Sequence, residues 1–215
     1  MEVYSTIVSF FQQGGVFMYP IVVVLALGLA IAAERWLFLT MTTAKNKALW
    51  NKITPALKAG NFSAAAQIAS KSKAAIALIM SYGLNRVRSA RRREDIEKAM
   101  EESLMEVLPR LEKRTHYLAT FANIATLLGL LGTIIGLIRA FTAVSNANPA
   151  EKADLLSASI SVAMNTTAFG LIVAIPLLLI HTLLQTKTTE IVDSLEMASV
   201  KFLNSISDRS EAGLS

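Results

Sequence analysis

Two apolar stretches carry side chains able to do chemistry. In residues 117–138, Gly129, Gly132, Thr133 and Gly136 fall within one helical face at spacings of three and four, with Thr126 two turns from Thr133. In residues 160–184, Ala163, Thr167, Gly170 and Ala174 make a second small stripe, and Asn165 and Thr166 add polar groups on adjacent faces. An amide and two hydroxyls inside an apolar helix must find partners, and such groups often face an aqueous cavity or a partner helix. The chemistry open to them is that of neutral oxygen. They can hydrogen-bond a titrating acid on another chain, or replace part of the hydration shell of a hard cation such as Na⁺. The plainer alternative is packing. Small residues let helices approach closely in lipid, and threonine hydroxyls bond carbonyls of the preceding turn. Packing accounts fully for Gly129, Gly132, Gly136, Gly170 and Ala163, and less well for Asn165-Thr166-Thr167.

No carboxylate lies in the central turns of either stretch, so a titrating acid in an ion path must come from another chain. His116 and His181 sit near span ends, and His181 reads as interfacial more readily than as a ligand. There is no Walker A sequence, no GxGxxG after a strand, no HExxH and no GxSxG. The absence of cysteine excludes disulfides, thiolate metal sites and cysteine nucleophiles. The chain is therefore not expected to be an enzyme, and no cofactor is expected.

The elements that position these residues follow from hydropathy. The chain is 215 residues long and 53% hydrophobic, above the range of soluble domains, and the excess lies in three runs. The fold class expected is an all-α membrane protein with three transmembrane helices and long helical cytoplasmic extensions. Residues 1–15 form an amphipathic interfacial segment ending in Gly14-Gly15, with no signal peptide expected. The first span is 16–39, free of charge from Val16 to Ala33 and closed by Glu34, Arg35 and Trp36. Residues 40–116 are a soluble helical loop holding 15 Lys and Arg against seven Asp and Glu. Its last helix, amphipathic from Arg93, is expected to kink at Pro109 and run on into the second span, 117–138. The linker 139–159 has no net charge, the third span is 160–184, and the tail 185–215 begins as an amphipathic helix. The basic loop reads as cytoplasmic, which places the N-terminus outside and the tail inside. The run Arg91-Arg92-Arg93 lacks interleaved aromatic residues, so anionic lipid suits it better than nucleic acid.

At this point the sequence resembles a family, the ExbB/TolQ/MotA ion channels of bacteria, with ExbB and TolQ nearest. Glu34-Arg35 closes the first span, Leu127 to Gly136 reads LLGLLGTIIG, and Asn165 to Pro176 reads NTTAFGLIVAIP. The resemblance covers the three-span layout, whereas the loop itself has no matching motif. It implies a pentamer in the inner membrane around a dimer of single-span ExbD- or TolR-like subunits. That dimer supplies a membrane Asp whose protonation or ion occupancy drives rotation. Work then passes to the outer membrane, through a TonB-like protein for uptake or towards envelope maintenance. The family's pore threonines fall on Thr133 and Thr167, which are expected at similar depth, pointing towards the partner helices. The glutamate common in ExbB and TolQ five residues before the second threonine is Val162 here. The coupling ion is therefore H⁺ or Na⁺, and if it is sodium its site is expected at Thr133, Thr166 and Thr167. The small stripes are expected to face neighbouring subunits or the lumen. Two rivals are a MotA-type flagellar stator subunit, separable by the motility of a deletion strain, and a non-conducting membrane scaffold, separable by ion flux.

Overall fold

The computed structural model describes residues 14–87 and 92–212, and the side chains of all of these except Asn146 and 208–212. Of the interfacial segment expected over 1–15, only Gly14 and Gly15 belong to the described residues. The elements are α1 (Met18–Lys58), α2 (Phe62–Ser70), α3 (Ala75–Val87), α4 (Arg93–Glu112), α5 (His116–Asn146) and α6 (Lys152–Ala212). No strand occurs among the described residues, and three helical stretches are long and apolar enough to cross a membrane.

Local signals explain the helix ends. Pro20 lies in the first turn of α1, where an N–H has no intrahelical acceptor to lose. The helix ends at Lys58, and Gly60 just beyond it takes a positive φ of 69° that suits a residue without Cβ. The Gly60 N–H donates to the Leu57 carbonyl and the Asn61 N–H to the Ala56 carbonyl, both at 2.9 Å. Asn61 then caps α2, its Oδ1 accepting from the Ala64 N–H at 2.9 Å.

The helix that carries the second span begins at His116, beside the expected Tyr117, but it does not continue unbroken from α4. Helix α4 passes through Pro109 and stops at Glu112, and α5 starts at His116. The break falls at Arg114, whose φ of 66° is left-handed. Pro109 has no N–H to give the Met105 carbonyl four residues earlier, which weakens the last turn of α4. The last carbonyls of α4 have no further helical donors and take others. The Lys113 N–H still reaches the Pro109 carbonyl at 3.1 Å, while the Leu111 carbonyl accepts from the Arg35 guanidinium. Helix also covers much of the expected linker 139–159, since α5 runs to Asn146 and α6 starts at Lys152.

The described chain forms two compact units. The first comprises the described part of Met1–Glu34 with Arg114–Leu183. Its helices are closely packed, and a Cβ on Gly28 of α1 would lie 2.7 Å from a Leu177 methyl group of α6. The second comprises the described parts of Arg35–Lys113 and Leu184–Ser215. Its core is built of Ile53, Ile79, Met80, Met100, Leu195 and Phe202, with Phe62 and Phe202 edge to face at 6.3 Å. Arg93, from the basic run, donates to Asn204 Oδ1 at 3.0 Å and to Ser207 Oγ at 3.1 Å.

Candidate functional site

The two small stripes meet inside one chain. An added Cβ on Gly129 would lie 3.2 Å from Thr167 Cα and 3.3 Å from the Thr166 carbonyl oxygen. One on Gly170 would lie 2.7 Å from the Ala125 carbonyl oxygen, one on Gly132 2.5 Å from Thr166 Cγ2, and one on Gly136 2.8 Å from Ala163 Cβ. The expectation that these stripes face neighbouring subunits or the lumen is thus corrected. Each is the other's partner, because backbones lacking side chains gain most dispersion by approaching each other directly.

The close approach brings Thr133 and Thr167 together. Their hydroxyl oxygens are in direct contact. Both lie within hydrogen-bonding distance of the Gly129 carbonyl, Thr133 Oγ1 at 3.1 Å and Thr167 Oγ1 at 2.9 Å. Two helices thus converge three neutral oxygens on one point, and both threonines keep part of their surface exposed. A glycine at 129 is what lets the hydroxyl of Thr167 reach a carbonyl of the facing helix.

Thr166 does something else. It is 2% exposed, and its hydroxyl is shared between the Val162 carbonyl at 3.0 Å and the carbonyl of Gly14. It borders a small cavity of about 120 Å³ with Gly14, Gly132, Arg139, Ser159 and Val162. Asn165 is half-buried with no hydrogen-bond partner among the described residues, and Ala163 is buried against Gly136. Of the sequence candidates, Thr133 and Thr167 are therefore brought together, whereas Thr166 and Asn165 sit on separate faces.

The sequence reading missed the carbonyl of Gly14, which lies 152 residues from its partner and has no side-chain signature. It also placed Arg35 only as a boundary charge. Arg35 is 2% exposed, with its guanidinium over the Phe38 ring at 4.8 Å and donating to the end of α4. A cation is favoured at a helix C-terminus, where carbonyls point outward unpaired. The signal was available in type only, since arginine buries more readily than lysine.

The arrangement contains no titratable side chain. Thr133 and Thr167 can accept from an acid, donate to a carboxylate, or supply oxygens to a hard cation. No cluster of three or more His, Asp or Glu suited to a transition metal occurs among the described residues.

Residues 71–197, more than half the chain, match the MotA/TolQ/ExbB proton channel family. A putative biopolymer transport protein ExbB homolog of Methanothermobacter thermautotrophicus is 26% identical over 196 residues, 90% of this chain and 68% of the relative. A putative biopolymer transport protein ExbB-like 1 of Synechocystis is 30% identical over 178 residues, 81% of this chain and 68% of the relative. The Tol-Pal system protein TolQ of Haemophilus influenzae is 33% identical over 94 residues, 44% and 41% of the two chains. With three apolar helices of membrane-spanning length and a profile match across most of its length, this chain belongs to the MotA/TolQ/ExbB family of multi-pass, channel-type membrane proteins.

Proposed function

We propose that the chain is the ion-conducting subunit of an inner-membrane motor of the ExbB/TolQ kind. It forms a homo-oligomer, a pentamer by family resemblance, around a single-span ExbD- or TolR-like partner with a membrane Asp. The N-terminus faces the periplasm and the tail the cytoplasm, as the basic loop favours. The ion gradient energises an outer-membrane process, TonB-type uptake or envelope maintenance.

The observation that carries this reading is the contact of Thr133 with Thr167 around the Gly129 carbonyl, between two spans without charge. A hydroxyl both donates and accepts. The pair can therefore follow a partner carboxyl through both protonation states, donating to the carboxylate and accepting from the acid. Val162, where the family resemblance implies an acid, leaves that carboxyl as the titrating group of a proton path. The proton is the first reading of the coupling ion, supported by the character of the family. Three converging neutral oxygens also suit sodium, the second reading.

Thr167→Val keeps the shape of the side chain and removes its oxygen. It is expected to abolish energised transport in cells expressing the partner, while oligomer mass in detergent is unchanged. Normal transport by this variant would reduce the threonine pair to packing and favour a scaffold. Withdrawing Na⁺ at fixed pH and membrane potential separates the ions: unchanged transport supports the proton, and loss of transport supports sodium.

A further inference from the structure

The second unit contains a cavity that the motor reading does not use. It has a volume of about 570 Å³. Three cations line it, Lys45 from α1, Lys73 from the turn before α3 and Arg110 from α4, and no acidic residue does. Arg110 also pairs with Glu106 at 3.2 Å on its own helix, an exposed contact that leaves most of its donors unused. The first turn of α3 forms part of the wall, so the positive end of a 13-residue helix adds to the field of the three cations. Ser72, whose Oγ accepts from the Ala74 N–H at 3.2 Å, brings a hydroxyl to the same wall.

A further group points to a ligand. Asn46 lines the cavity, is only 5% exposed, and its Nδ2 has no acceptor. Its orientation is not arbitrary. Oδ1 accepts from the Ile76 N–H at 3.2 Å, so the amide cannot be turned round without setting two donors against each other. A buried donor without a partner is costly and is normally satisfied by an acceptor oxygen. The cavity thus offers positive charge from three elements, a helix N-terminus and an orphaned amide donor, all suited to an oxyanion.

We propose that this cavity binds a phosphate-bearing anion, presented as a phospholipid head group or as a free phosphate compound. Phosphate matches the donor set better than carboxylate does, because its several oxygens can meet cations on three sides. A head group is within reach as well as a soluble ligand. Phe38, also on the wall, lies one turn of α1 beyond Glu34, about 7.5 Å along the axis from Ala33, the end of the charge-free run.

The test uses the full chain purified in a neutral maltoside detergent. Two probes are applied, inorganic phosphate against chloride at equal ionic strength, and nanodiscs of phosphatidylglycerol against phosphatidylcholine. Thermal midpoint reports the first and native mass spectrometry of retained lipid the second. The wild-type chain is expected to respond to at least one anionic probe. The double variant Lys45→Ala with Lys73→Ala should bind that probe about tenfold more weakly, because each lost charge-assisted hydrogen bond weighs heavily. Both lysines are exposed, so helix content should not change, and Lys73→Arg should retain binding. Retention of phosphatidylglycerol without a response to inorganic phosphate assigns the site to a lipid. A response to inorganic phosphate that is equal in both nanodiscs assigns it to a soluble ligand. Equal behaviour of wild type and double variant towards both probes overturns the proposal.

Discussion

The two units are built of helices by opposite means. In the first, the contacts between α5 and α6 run through Gly129, Gly132, Gly136, Ala163 and Gly170, and backbone meets backbone. In the second, α2, α3, α4 and the end of α6 meet through Phe62, Ile79, Met100 and Phe202. The difference follows from the solvent each composition suits. Lipid tails are as apolar as leucine, so large side chains gain little by meeting each other in a membrane. Close approach and hydroxyl bonds to carbonyls replace them. In water, removing large apolar surface is the main driving force.

Breaking the second unit should have the largest effect. Phe202 is fully buried and stacks edge to face on Phe62. Phe202→Ala is expected to cost about 3–5 kcal/mol, read by denaturant titration of the detergent-solubilised chain. A loss well under 1 kcal/mol would show that large side chains do not hold this unit.

A paired substitution sharpens the contrast. A Cβ on Gly170 would strike the Ala125 carbonyl oxygen at 2.7 Å and Gly129 Cα at 3.2 Å, and neither backbone can yield alone. Gly170→Ala should cost about 1–3 kcal/mol and should lower energised transport by shifting Thr167. A Cβ on Gly83 would meet Met100 Sδ at 2.8 Å and Phe202 Cε1 at 2.9 Å. Met100 is flexible and can turn away, and alanine favours the helix by about 1 kcal/mol. Gly83→Ala should therefore cost less than Gly170→Ala, the shift of Met100 and of the Phe202 ring being partly offset by the helix preference. Equal losses for the two alanines would erase the distinction between backbone and side-chain packing.

Two neighbours on α1 give a second contrast, which ends on the smallest effect. Arg35→Met should cost about 1–3 kcal/mol, because it leaves the Leu111 carbonyl without its cation. Glu34 pairs with Arg114 at 3.6 Å, and both side chains are about half exposed. Glu34→Gln should change stability by about 0.5 kcal/mol or less, vanishing in high salt. A larger loss at Glu34 than at Arg35 would reverse the roles assigned to them.

Much of this architecture was legible before any coordinates. Three apolar runs announce three helices of membrane-spanning length, because backbone in lipid must satisfy itself. Glycine and threonine at spacings of three and four mark the faces that pack. The partner of each face was not legible. A stripe of small residues is the same whether it meets a neighbouring chain or the next helix of its own. Only the approach of Gly129 to Thr167 and of Gly170 to Ala125 decides between them. The end of α4 was misplaced for a related reason. Pro109 is a visible breaker, but the left-handed turn at Arg114 and the buried Arg35 that covers the Leu111 carbonyl, 76 residues distant, leave no local pattern.

Composition and periodicity by themselves determined the helical class, the apolar segments and the types of group that a path through them contains. They did so because hydropathy and helical spacing act within a few turns of chain. Tertiary structure alone decided which of those groups meet. It set the Thr133 hydroxyl against that of Thr167 and turned Thr166 towards Gly14, although Thr166 and Thr167 are adjacent and chemically identical. Neighbouring helical residues point about 100° apart, so one faces the facing helix's threonine and the other a carbonyl. That choice is made by packing between segments remote in sequence, where no local pattern reaches.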